Sequence, residues 1–508
     1  MKSSRLIFNL VPAALLTLVT AASVAQDSTA KNETLPPAPS AVLAQYGPGT
    51  TAGSGKVFTA SGTYTGPGDV KIEHSTTGPL PLSIDDAVTY GLDRNLRLIL
   101  DRANLKVVRG DRLQVTNALV PSLRFNAFTN TQEINLAAMG FKPQSLAAFG
   151  FPPGAIHTIL KVNVTQAQLG INQTLFNAPA YELLRGAKDE EDVVNLNGLV
   201  GRGDLVNAVI VAYLKVLADQ SSLANAQALE RAAGTVFNQA SERQKAGVGV
   251  HIDTLRGQVD QQTRQQQRIA AEATLAKDII QLNRIMGLPA EQQLLLTDTA
   301  PFADLADMDL DRAKETAYQR RKDYLSLLAQ IRVADRERLA VKYQRLPTLA
   351  FGGFYGVLGE TTGLYHGVFA ATGSLKFPIF REAAQRGDTE VITAQLLSLR
   401  QREADMRVTI EAQIRSSLLD VNSAHELVKV AQSNVALAQE ELSDEQQRFS
   451  AGVDDNLPVV DAEASLAGAQ AQLVKALYQY NTAKLMLARS TGIVESQYRT
   501  YLGTNVTP

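Results

Sequence analysis

The residues able to do chemistry are few, and their spacing excludes most of it. The chain has 508 residues with no Cys, no Trp and only 5 His. Thiol nucleophiles, disulfides and Cys-containing zinc sites are therefore excluded. His74, His157, His251, His366 and His425 are scattered, and no His-Glu-x-x-His spacing places two ligands on one helix face. The stretch GPGTTAGSGKV resembles a phosphate-cradling loop, but Thr50 stands where its first Gly is required. Val57 stands where a hydroxyl would hold magnesium. No nucleophile elbow and no dinucleotide fingerprint is present. The expectation is a chain with no catalytic residues, no cofactor and no metal. Lys+Arg total 49 against 51 Asp+Glu, a formal charge of −2, so no strongly basic surface awaits nucleic acid.

Met1 to Gln26 has the order of a secretory signal. Lys2 and Arg5 precede an apolar run, Leu6 to Val19, interrupted only by Asn9, Pro12 and Thr17. Ser23-Val24-Ala25 then supplies small residues for cleavage, giving residues 1–25 as a signal peptide. The run is too short and too broken for a membrane-spanning helix. The mature chain is expected to be exported, in a bacterium with two membranes. Residues 26–81 are rich in Pro, Gly, Ser and Thr, and bury too little apolar surface to offset their ordering entropy. They are read as a flexible extension.

The elements beyond it are written twice. Ala87 to Pro121 and Ala313 to Pro347 both span 34 residues, and the prolines share the contexts LVPSLRF and RLPTLAF. Phe176 to Gly247 is 71 residues and Phe380 to Gly452 is 72, each glycine lying in R-x-x-A-G-V. Gly247 to Gly287 and Gly452 to Gly492 are both 40. The first repeat is read as 82–293, the second as 294–493, and 494–508 as a tail. Between Pro121 and Phe176 the first repeat carries 22 residues more than the second. These fall in an outer loop at about 137–158, expected to act as a lid or an interfacial segment.

Each repeat opens with a helix, Ser83 to Asn117 in the first, capped by Ser83 and carrying Asp85 and Asp86 in its first turn. Two alternating runs follow, at about 122–134 and 159–176, then 348–358 and 368–380. In them Leu123 and Phe125 oppose Arg124 and Asn126, the period of a strand with one apolar and one polar face. The helical arms are longer, 180–287 and 381–492. Val421, Val428, Val435, Leu442 and Phe449 recur every seven residues, with Ala424, Ala431 and Ala438 between. The return arm reads Val460, Ala464, Ala467, Ala471, Val474, Tyr478. The first repeat has weaker versions, Ala212 to Phe237 outward and Ile252, Leu255 and Val259 back. Such heptads predict coiled-coil packing with close approach at alanine. Gly198, Gly201 and Gly203 are expected to mark a bend.

Four strands cannot close a barrel, and an open edge in lipid costs several kcal/mol per unpaired backbone group. The chain is therefore expected to oligomerise, pooling 8, 12 or 16 strands. The long helices would form a hollow cylinder about the same axis.

LSIDDAVTYGLDRN at 82–95, VNAVIVAYLKVL at 206–217 and R-x-x-A-G-V at both turns carry a resemblance. From Leu82 to Ile493 the chain resembles the TolC-type outer-membrane efflux proteins, or outer membrane factors. The resemblance implies a mostly α fold with a membrane β-barrel, in which a homotrimer forms a 12-stranded barrel and a helical tunnel of roughly 100 Å. It implies an outer-membrane location, contact with outer-membrane lipid and a long periplasmic extension. It also implies partners: a periplasmic adaptor (membrane fusion protein) and an inner-membrane pump of RND or ABC type. By the same likeness, Gly247, Val248, Gly452 and Val453 form the tips where the adaptor docks. The glycines equally suit a tight turn that needs positive φ.

Asp461 matches a family carboxylate that narrows the periplasmic entrance, where three copies would attract cations. The chain departs from the family nearby. Pro458 replaces a second aperture Asp, and Asp454 stands where a basic residue would help lock the entrance. With Asp455 this makes the aperture more acidic, although Asp454, Asp455 and Asn456 also suit the cap of the returning helix. The cargo reading implied is efflux of drugs or other small molecules. The alternatives are the outer component of type I protein secretion and, from another class, a periplasmic adaptor or structural coiled-coil protein.

Overall fold

A computed structural model describes residues 78–135, 138, 159–298, 302–305, 308–361, 363–451, 453 and 457–503. The signal peptide, nearly all of the extension, and the outer loop apart from Ala138 lie outside these residues.

The first repeat begins with β1 (Leu80–Leu82), α1 (Ile84–Arg94) and α2 (Leu96–Asn117). The single opening helix expected is two helices. Ser83 caps α1 in a reciprocal capping box with Asp86. At Asn95 the backbone turns extended, with φ −68° and ψ 125°, and the Asn95 side chain accepts from Arg97 N to start α2. Two strands follow, β2 (Ser122–Asn135) and β3 (Ile159–Phe176), and then two long helices, α3 (Ala178–Lys245) and α4 (His251–Met286). After β4 (Leu294–Leu296) the second repeat runs α5 (Leu310–Arg320), α6 (Lys322–Tyr343), β5 (Thr348–Glu360) and β6 (Tyr365–Lys376). It ends with α7 (Glu382–Ser450), α8 (Leu457–Ser490) and α9 (Val494–Leu502).

The 68 residues of α3 and 69 of α7 each span about 100 Å at 1.5 Å per residue. No helix among the described residues is long and apolar enough to cross a membrane. β2, β3, β5 and β6 form one antiparallel sheet in that order, so among the described residues β2 and β6 are its two open edges. β6 starts earlier than the alternation predicts and stops at Lys376, because Pro378 cannot donate to a ladder. Ile379 and Phe380 are left 82% and 95% exposed beside it.

The main core lies midway along the helices. There β1 pairs in parallel with β4, joining the starts of the two repeats. Asp298 Oδ2 accepts from Ile84 N at 2.8 Å, and the Tyr213 hydroxyl lies 2.8 Å from the same oxygen and 2.9 Å from the Leu82 carbonyl. Residues read as the start of a tail form α9, which buries Tyr498, Tyr501 and Leu502 in this core. α3 runs as continuous helix through Gly198, Gly201 and Gly203, so these glycines do not interrupt it. A Cβ on Gly201 would come within 3.0 Å of Asp101 Oδ2 and 3.3 Å of Arg97 Nε, so this glycine lets α2 pack closely.

The outward seam of α7 is buried as expected at Val421, Ala424, Val428, Ala431, Ala438 and Phe449. The return arm is shifted. α8 buries Val459, Ala462, Glu463 and Leu466, whereas Ala464 and Ala471 are exposed. In α4, Ile252, Leu255 and Val259 are exposed rather than packed, and Gly257 and Arg264 are buried instead. Gly257 is required here, since a Cβ would lie 3.0 Å from Phe237 Cα.

Candidate functional site: the helical tips and the entrance

Each long hairpin turns through the same residues. In the first, Gly247 sits at φ 77°, a left-handed conformation that glycine adopts without penalty. Gly247 N donates to Gln244 O, and Val248 N and Gly249 N both donate to Arg243 O, so orphan carbonyls at the end of α3 are satisfied. The second turn repeats the key bond, with Val453 N donating to Arg448 O at 3.1 Å. Gly452, Asp454 and Asp455 lie outside the described residues. Val248 and Val453 are 79% and 69% exposed, presenting two apolar points at the tips.

The two tips are tied together. Arg243 Nη2 donates to the Phe449 carbonyl at 2.9 Å, and its guanidinium lies 4.3 Å above the Phe449 ring. Phe449 also packs with Val236 and Val459, so one apolar cluster spans both hairpins near their ends. The R-x-x-A-G-V motif thus supplies a turn at each tip and, through Arg243, a brace between tips. The motif's spacing points only to the turn; the brace joins residues of different repeats and leaves no local pattern.

Asp461 lies on the exposed face of α8, one turn beyond its start. Two residues on, Glu463 is completely buried, and neither of its carboxylate oxygens has a hydrogen-bond partner among the described residues. Facing it from α4 are Asp260 and Arg264, themselves an ion pair at 3.2 Å. Burial, reinforced by Asp260 and opposed by Arg264, pushes the Glu463 carboxyl up to about 7. This group is not among the residues that the sequence singles out. No cluster of potential metal ligands occurs among the described residues.

The sheet has a different chemistry. Leu123, Phe125, Leu169, Tyr355, Phe369 and Leu375 are exposed on its odd-numbered face. The even-numbered face carries Arg124, Asn126, Gln166, Gln168 and Asn172 along β2 and β3. An exposed apolar sheet face joined to two long helical hairpins fits a chain seated in a membrane through its strands.

Comparison with known proteins agrees. The model of the family "Outer membrane efflux protein" matches residues 92–288 and 314–493. The chain belongs to that family and is an outer-membrane channel for efflux or secretion, not an enzyme. It is 24% identical over 355 residues to the alkaline protease secretion protein AprF of Pseudomonas aeruginosa, covering 64% of this chain and 69% of that one. It is also 24% identical over 324 residues to the pyoverdine export outer membrane protein OpmQ of Pseudomonas putida, covering 61% and 67%. Its fold matches a solved membrane protein from Pseudomonas aeruginosa with a TM-score of 0.69 at 18% identity, over 80% of this chain and 93% of that one.

Proposed function

We propose that three copies of this chain close a 12-stranded barrel and a continuous helical tunnel, through which small molecules leave the cell. The observation that carries the reading is the four-stranded sheet with two unpaired edges, β2 and β6, and an exposed apolar face. In lipid every backbone polar group needs a partner, so β6 of one copy must pair with β2 of the next. Boundaries at 82–293 and 294–493 follow from the repeat, each contributing two strands and one long hairpin to the assembly. A periplasmic adaptor docks on the tips at Gly247, Val248, Gly452 and Val453, and an inner-membrane pump of RND or ABC type feeds the entrance. Asp454, Asp455 and Asp461 line that aperture.

The test of assembly is heat-modifiable migration of a trimer extracted from outer membranes; a monomer at every temperature counts against it. Cargo is tested by deleting the gene and comparing a drug-susceptibility panel with the secreted proteins. Sensitivity to small molecules with an unchanged secretome supports efflux. Loss of a secreted protein supports the second reading, type I secretion, which the likeness to a protease secretion protein favours.

Docking predicts a specific lesion. Replacing Val248 and Val453 together by Asp puts charge at two exposed apolar points and is expected to abolish efflux while leaving trimer yield unchanged. Burying an unpaired carboxylate in an apolar contact costs several kcal/mol, so susceptibility should match the deletion strain. Wild-type resistance in the double variant would place docking elsewhere.

A further inference from the structure

The register of the sheet places charge unevenly on its polar face. Arg124 aligns with Gly170, Gly170 with Phe354 and Phe354 with Ala370, so even-numbered residues share one face. That face is more enclosed than the odd one along β5, where Gly352, Phe354 and Gly356 are at least half-buried and Phe351, Tyr355 and Val357 are exposed. The odd face of the described strands carries no charge apart from Glu133 and Lys161, which align with each other far from the helices; set against lipid, it leaves the even face to line the lumen.

Within the described strands the Asp, Glu, Lys, Arg and His residues of the even face are Arg124, Glu360, His366 and Lys376. They separate by end. Glu360 and His366 lie at the ends of β5 and β6 away from the helices. Arg124 is the third residue of β2 and Lys376 the last of β6, both at the end that joins the helical part. Both are exposed, and neither joins an ion pair among the described residues. Glu382, at the start of α7, is already engaged by Arg345 at 3.4 Å and Arg386 at 3.0 Å, so it does not offset them.

β2 and β6 are the open edges, the strands a closed barrel sets side by side. We propose that Arg124 of one copy and Lys376 of the next form a cationic collar where the barrel meets the tunnel, selecting for anionic solutes bearing carboxylate, phosphate or sulfate groups. The inference rests on the trimeric barrel proposed above. Three copies bring two cations each to one ring with no facing carboxylate on the strands. Charges of one sign lining a narrow aqueous passage between low-dielectric walls focus the field and concentrate counter-ions. Arg124 adds a planar fork that grips carboxylate or phosphate in a bidentate manner. Its neighbour across the ladder, Gly170, has no side chain and leaves the guanidinium room to project.

The test uses the purified full chain in planar lipid bilayers. Reversal potential is read in a potassium chloride gradient, and block by tripolyphosphate is titrated from the barrel side, away from the acidic entrance. R124Q/K376Q is expected to shift the reversal potential toward that of potassium and to raise the half-blocking concentration about tenfold, the equivalent of losing roughly 1.4 kcal/mol of attraction. R124K/K376R, which keeps the charge, should retain most of the wild-type selectivity. The single variants R124Q and K376Q should each show part of the shift, and they serve if the double variant fails to migrate as a heat-modifiable trimer. Unchanged selectivity and block in variants that conduct normally would overturn the collar and leave the barrel standing. A wild-type protein that forms no channel overturns the barrel reading, and the collar with it.

Discussion

Replacing Gly492 by Ala is expected to destabilise the protein by about 3 kcal/mol, more than the same change at two glycines of nearly identical backbone. Gly247, Gly287 and Gly492 have φ of 77°, 74° and 76°. A side chain in this left-handed region costs roughly 1–2 kcal/mol at each of them. Their surroundings differ. A Cβ on Gly247 would meet nothing within 4 Å, and one on Gly287 would lie 3.1 Å from Arg94 Cβ and the Arg94 carbonyl. On Gly492 it would lie 2.7 Å from Arg321 N and 2.9 Å from the Arg320 carbonyl carbon. Backbone cannot swing aside as a side chain does, so overpacking adds about 1–3 kcal/mol there. Gly287 closes α4 against the α1–α2 joint, and Gly492 closes α8 against the α5–α6 joint. The pair is thus one device used once per repeat. Thermal unfolding of the purified variants, followed by circular dichroism, should rank them G247A, then G287A, then G492A, with G492A lowest. Equal midpoints would mean that the joints yield and that backbone conformation alone sets the cost.

The repeat of those joints is legible in the sequence alone, because Gly247 to Gly287 and Gly452 to Gly492 are equally spaced. The fold is readable for a related reason. Long helices and strands with one apolar face impose periods of 3.6 and 2 that persist over many residues. Short or phase-dependent features are not readable. β1 and β4 are three residues each and pair across more than two hundred residues of chain, too short to show a period. α9 carries buried Tyr498, Tyr501 and Leu502, yet at nine residues it reads as an end.

The phase of the return arm is hidden for a third reason. In α8 both Val459 and Val460, and both Ala462 and Ala464, are apolar. Two stripes therefore fit the sequence equally, and burial selects Val459, Ala462, Glu463 and Leu466. The other stripe leaves Glu463 outside, since a carboxylate is counted as a surface residue until its partners across the interface are known. The brace from Arg243 to Phe449 is hidden in the same way, by a partner more than two hundred residues away.

That buried carboxylate is expected to make the tip half of the long hairpins sensitive to pH. Glu463 is pushed up to about 7 from an ordinary 4.5, by burial first and by Asp260 second. The folded chain therefore holds this proton more tightly than the unfolded chain does. The stabilisation is complete below about 4.5, falls as pH rises, and is lost above about 7. One pKa unit is about 1.4 kcal/mol, and with relaxation around the ionised group the loss is about 2 kcal/mol. Packing between α4 and α8 should consequently loosen between pH 5 and pH 8. Glu463→Gln keeps the shape, cannot ionise, and should remove the dependence. It is expected to match the wild type at pH 5 and to exceed its stability at pH 8. Hydrogen exchange over residues 251–264 and 457–470, corrected for the intrinsic effect of pH on exchange, reads this directly. Protection in the wild type that stays constant from pH 5 to pH 8 would show that Arg264 neutralises the carboxylate in place. Protection that falls in the wild type and holds in the variant assigns the change to one proton on Glu463.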